Sequence, residues 1–115
     1  MSSLASGRTI VDEPIAYPAA APAKVTASIV TFAPGDETGW HRHAVPTFGY
    51  ILDGELTVDY GDKVRRTYHA GDAILEAMGT AHNGRNTGTT PMRILAVFMG
   101  ADGLPTSTRI APSEN

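Results

Sequence analysis

The chain has no cysteine. That removes disulfide frameworks, thiolate zinc sites, iron–sulfur clusters and cysteine nucleophiles in one step. Positive charge is also scarce. Nine Lys and Arg face twelve Asp and Glu, for a formal charge of −3. Such a surface cannot neutralise many phosphates, which argues against nucleic acid as the main partner. No apolar run approaches the roughly 18 residues needed to span a bilayer, so no membrane role is expected. There is no P-loop, no Gly-x-Gly-x-x-Gly run and no Gly-x-Ser-x-Gly elbow, so nucleotide chemistry and serine hydrolysis lack support. The N-terminal stretch lacks a continuous apolar core, because Asp12, Glu13, Pro14 and Pro18 interrupt it. It reads as an arm rather than an export signal, and a cytoplasmic location is the expectation.

What is present suits one folded domain. The 115 residues are 42% hydrophobic and 18% charged, with 12 Gly and 8 Pro. Turn formers beside many Thr, Val and Ile predict an all-β chain of short strands. Turn signals recur about every 8–12 residues, the rhythm of a sandwich or barrel. Strands are expected at Val25–Phe32, Gly39–His43, Thr47–Leu52, Glu55–Tyr60, Val64–His69, Ala73–Glu76, His82–Asn86 and Met92–Met99. Alternation puts Leu56 and Val58 on one face of their strand and Thr57 and Asp59 on the other. The expected organisation is an extended arm over 1–23, a barrel over 24–101 and a polar tail over 102–115. Within the arm, Thr9–Ile15 has strand character and could add to a neighbouring subunit's sheet, which predicts a homodimer.

The histidines carry the chemistry. His41 and His43 are two apart in an extended segment, so both imidazoles share a face. A metal needs a third ligand from elsewhere, and His82, at a strand start, is the candidate. The flanking residues form a pattern. Gly35 precedes His41-Arg42-His43 and then Gly54; Gly71 precedes Ala77-Met78-Gly79, His82 and Asn86. This spacing resembles the two motifs of the cupin superfamily, over roughly residues 25–99. The resemblance implies a jelly-roll β-barrel with a pocket at one mouth and a metal held by His41, His43 and His82.

Two positions depart from that pattern. Thr47 stands where the family usually has a Glu that completes a three-His, one-Glu site, and Ala77 stands where Pro is usual. Three neutral imidazoles still suit one divalent ion, among Fe, Mn, Ni, Zn or Cu. Without the carboxylate the ion keeps its full charge and more open positions, which favours an anionic bidentate substrate. The resemblance then extends to three-His cupins, some of which are iron dioxygenases acting on diketones or thiols. Thr47 could hydrogen-bond a metal-bound water, and Gly49, of the same parity, could leave room beside it. Glu76, if it faces the barrel, could act as general acid or base or as a fourth ligand. Tyr50 and Tyr60 read as packing, His69 as a surface histidine, and Asn86 as a turn or supporting group. Arg42 and Arg85 should point away from the histidines.

The expected function is therefore a metal-dependent cupin enzyme for a small organic acid or dicarbonyl compound, dioxygenase-type first. A metal-dependent lyase or isomerase is the alternative, as is a non-enzymatic small-ligand-binding cupin.

Overall fold

The computed structural model describes residues 4–110. Among the described residues nine strands form in chain order: β1 Ala23–Phe32, β2 His41–Arg42, β3 Thr47–Asp53, β4 Glu55–Asp59, β5 Arg65–His69, β6 Ala73–Leu75, β7 Asn83–Asn86, β8 Met92–Ala101 and β9 Thr108–Arg109. They build a four-stranded sheet in the order β1-β8-β3-β6, a three-stranded sheet β5-β4-β7, and a two-stranded ribbon β2-β9. Every pairing of these strands is antiparallel.

The core lies between the two larger sheets. Ile51, Leu56, Val58, Tyr60, Tyr68, Ile74, Ala77 and Met92 form one buried cluster. The period-2 reading of β4 holds: Leu56 and Val58 are buried, while Thr57 hydrogen-bonds Thr67 and Thr87 on the opposite face. The Asp53-Gly54 turn requires its glycine. Gly54 has φ +82, and a Cβ there would lie 2.8 Å from Met92 Cα and Pro91 O. Asn86 is fully buried and ties three backbone groups: Nδ2 donates to Phe32 O and Thr90 O, and Oδ1 accepts from Gly88 N.

The arm departs from expectation. Thr9–Ile15 does not extend as a strand. It folds into a tight turn closed by an Arg8–Pro14 bridge, with Asp12 at φ 66. Ile10 N donates to Leu75 O, so the turn caps the free edge of β6. Ile10 and Val11 pack against the barrel's own core. The apolar residues that suggested strand pairing thus find their partner within the same chain. In the tail, Thr108–Arg109 pairs with His41–Arg42.

Glu13 locks the arm down. Its carboxylate accepts from Met78 N at 2.8 Å, Thr80 N at 3.0 Å, Thr80 Oγ1 at 3.2 Å and Thr9 Oγ1 at 3.0 Å. Burial alone would raise its pKa; the hydrogen bonds from Met78, Thr9 and Thr80 outweigh it and lower it. Replacing Glu13 with Ala is expected to cost about 1–3 kcal/mol, read as a lower urea midpoint at neutral pH. A carboxylate depressed by folding stabilises above its unfolded pKa and stops doing so as pH falls through the folded value. The gap between parent and variant should therefore shrink below about pH 4.3. A gap that persists undiminished in acid would count against this clamp.

Candidate metal centre

The backbone brings the three histidines together. His41 N donates to His82 O and His82 N to His41 O, each at 3.0 Å. A reciprocally bonded antiparallel pair places both side chains on one face. His43, two residues along, shares the face of His41, and its own N–H is tied to Met78 O at 2.9 Å. The ring centroids stand 4.3, 4.8 and 5.0 Å apart. One ring nitrogen from each lies within 4.8 Å of the others.

Each ring is oriented by a backbone carbonyl. Nδ1 of His41 lies 2.8 Å from Gly39 O, Nδ1 of His43 2.8 Å from Thr106 O, and Nδ1 of His82 2.9 Å from Thr80 O. A carbonyl oxygen only accepts, so each Nδ1 carries the proton. Each Nε2 is then left with its lone pair. His82 Nε2 is buried and has no hydrogen-bond partner. An orphaned buried lone pair costs about 1–3 kcal/mol, and a cation is the group that satisfies it without displacing the rings. Burial also lowers the pKa of all three, His43 to about 4, so the imidazoles are neutral and competent as ligands near pH 7. The residues fit one divalent ion. His41, His43 and His82 would hold it through their three Nε2 lone pairs.

The histidines open on a cavity of about 570 Å³ between the sheets. Thr47, Phe48 and Gly49 of β3 all line it. Thr47 is buried and its hydroxyl donates to Val45 O, leaving oxygen lone pairs to accept. Glu76 also lines the cavity. Its Oε1 accepts from Tyr60 OH at 2.8 Å and Ala77 N at 2.9 Å. Tyr60 OH in turn contacts Tyr68 OH at 2.8 Å. Burial raises the Glu76 pKa, against the hydrogen bonds from Ala77 and Tyr60 that lower it. Glu76 N donates to Thr47 O. Glu76 is therefore the cross-strand neighbour of the threonine that stands in the usual carboxylate position.

Tyr60 packs in the buried core, as expected; its ring centroid also lies 5.8 Å from that of His82, and its hydroxyl donates to Glu76 Oε1. His69 is exposed and bonds Glu55, as a surface histidine. Arg85 is exposed. The chief omission of the sequence reading is the tail. Thr106 O accepts from His43, Ser107 Oγ lies 3.2 Å from the same Nδ1, and Ser107 and Arg109 line the cavity. Two prolines and a polar composition masked this, because the acceptor is a carbonyl that every residue type carries.

Fold and site together define a β-barrel with a three-histidine centre at its cavity. The family profile described as Cupin domain matches residues 28–98, more than half of the chain, and the chain belongs to that family. It is 32% identical over 76 residues to the oryzines biosynthesis cluster protein J of Aspergillus oryzae, across 66% of this chain and 41% of that protein. It superposes on oxalate oxidase with a TM-score of 0.62 at 29% identity, covering 75% of this chain and 46% of the other. A predicted oxalate decarboxylase from Thermotoga maritima gives a TM-score of 0.57 at 31% identity, with 64% of each chain covered. The chain thus spans less than half the length of the first two relatives and under two thirds of the third. No helix among the described residues is long and apolar enough to cross a membrane.

Untagged protein is expected to carry about one equivalent of a first-row metal by elemental analysis, and His82→Ala to lose it. Removing residues 105–115 deletes the Thr106 acceptor, which should weaken metal affinity about 10–100-fold in a chelator competition. Unchanged affinity in the truncated chain would rule out the tail as a support for His43.

Proposed function

We propose that this chain is a metal-dependent cupin enzyme acting on a small organic acid or dicarbonyl compound, with dioxygenase-type chemistry as the leading class. The observation that carries the reading is the set of three neutral imidazoles beside Thr47. With no carboxylate at that position, the ion retains its charge and open positions for an anionic bidentate substrate. When bound, a divalent ion would supply Lewis-acid or oxygen-activating chemistry. The chain's own residues would do the rest. His41, His43 and His82 hold the ion, the apolar walls exclude water, and Thr47 accepts a hydrogen bond beside it. Fe, Mn, Ni and Zn all suit such ligands.

Glu76 favours a second reading, a lyase or isomerase. A carboxyl group with a raised pKa, held by Tyr60 and lining the cavity, suits taking a proton from carbon and returning it. One experiment separates the readings. Protein refilled with Fe(II), Mn, Ni or Zn is offered 2-oxo acids and 1,3-diketones, with oxygen uptake and deuterium exchange followed together. Oxygen uptake that needs Fe(II) supports the first reading. Exchange without uptake, reduced at least about 100-fold in Glu76→Gln, supports the second. Ligand binding indifferent to metal, with neither signal, would leave a non-enzymatic binding barrel.

A homodimer also belongs to the proposal, on a different surface from the arm. The arm caps the β6 edge, whereas β1, ten residues long, forms the other edge of the same sheet. Val25 and Ile29 are 65% and 59% exposed there. Their ladder partners on β8 are Met99 and Leu95, so the apolar surface continues across the sheet. A second copy meeting it about a two-fold axis would cover this face. Ile29→Lys should shift the mass by sedimentation from dimer to monomer; a monomeric parent protein would refute the surface.

A further inference from the structure

The cavity's wall is unlike its metal-facing end. Val30, Phe32, Leu56, Val58, Ile94 and Phe98 line it with hydrocarbon. Its volume of about 570 Å³ falls in the range of about 300–1,000 Å³ that accommodates larger organic ligands. Oxalate, on which some relatives act, is two joined carboxylates with no hydrocarbon at all. It would leave these walls without a partner.

Charge on the lining is equally uneven. Besides the neutral histidines, the charged residues there are Glu37, Glu76 and Arg109. Both carboxylates have partners: Glu37 accepts from Asn83 Nδ2 at 2.7 Å, and Glu76 from Tyr60 and Ala77. Arg109 is the lining's only cation apart from any histidine charge, and among the described residues it makes no ion pair. Its position is set by the backbone. In the β2–β9 ladder Arg109 lies directly opposite His41, so their side chains share a face. Nη2 donates to Thr38 O at 3.3 Å. The guanidinium packs over Gly39, where any Cβ would collide with Nη1. Gly39, at φ +81, is thus both a turn and a cradle for this group. The remaining N–H donors form a planar fork suited to a carboxylate.

We propose that Arg109 anchors the carboxylate of a substrate whose remaining body is hydrocarbon, an aliphatic or aryl monocarboxylate rather than a small dianion. This deepens the enzyme reading above and rests on it for the chemistry, though not for the binding. The anion meets the guanidinium at the His41 edge, and the hydrocarbon enters the apolar cavity. Two features of the chain follow. β9 supplies the anchor as well as the pairing that steadies β2, and position 39 must be glycine for the guanidinium to sit there.

The test is titration calorimetry of metal-loaded and metal-free protein with straight-chain monocarboxylates from acetate to octanoate. The matching primary amides and oxalate complete the series. Affinity should rise with chain length, and each long carboxylate should bind at least about tenfold tighter than its amide. Arg109→Gln should abolish the preference for carboxylate over amide and leave amide binding as it was. Arg109→Lys should restore part of the preference. Circular dichroism and metal content on the same samples report on folding and on the centre. Oxalate binding more tightly than octanoate, or a carboxylate preference that survives Arg109→Gln, would overturn the proposal. So would failure of the whole carboxylate series to bind folded parent protein. Arg109-dependent binding in a protein that holds no metal would support it and would count instead against the enzyme reading.

Discussion

The site depends on three hydrogen bonds of one kind, from an imidazole Nδ1–H to a backbone carbonyl. They decide which nitrogen of each ring carries the proton, and so which three lone pairs face one another. Ligand identity alone does not make a metal centre. A histidine free to turn presents Nδ1 as readily as Nε2 and loses rotamer entropy on binding. Here that loss is met on folding, because the three acceptors belong to backbone already fixed by the barrel. His82 Nε2, buried without a partner, shows the arrangement being held against its own cost.

The acceptors come from separate parts of the chain, and both termini take part in holding them. Thr80, whose carbonyl fixes His82, is itself gripped by Glu13 of the N-terminal arm. Thr106, whose carbonyl fixes His43, enters on the tail that pairs with β2. The barrel between them supplies the histidines; the segments outside it supply hydrogen bonds to Thr80 and His43. Stability of the arm and order at the metal centre are therefore linked properties of one hydrogen-bonded assembly.

Much of this was legible in the residues. Alternation placed Leu56 and Val58 in the core, parity placed His41 and His43 on one face, and glycines located the turns. Those signals are local, since each depends on a period or a backbone angle written within a few residues. The arm misled for the same reason. Ile10 and Val11 read as strand residues, but which surface they cover is a long-range fact, settled by the free edge of β6. The tail was illegible because its contributions are a carbonyl and a ladder position, neither of which constrains residue type. Tyr60 does pack in the core, but its hydroxyl's partner, sixteen positions away, is not written in its neighbours.

Thr47 and Glu76 bear on each other in a way neither shows alone. The carboxylate usual in the cupin pattern is missing from position 47, which argues for a centre poorer in negative charge. Yet the cross-strand neighbour of Thr47 on β6's continuation is Glu76, lining the same cavity. The charge has not left the site; it has moved one strand over and been given a hydrogen-bond partner, Tyr60. That displacement changes its chemistry. A carboxylate bound to a metal is held ionised by the cation, and its proton affinity is suppressed. A carboxyl group away from the cation has its proton affinity raised by burial instead, against the lowering effect of the hydrogen bonds from Ala77 and Tyr60. The same functional group, facing position 47 from the neighbouring strand, is suited to the proton transfer of the second reading proposed above rather than to ligation. Threonine at position 47 and glutamate at position 76 thus leave the three imidazoles and one carboxyl group as separate features of a single cavity.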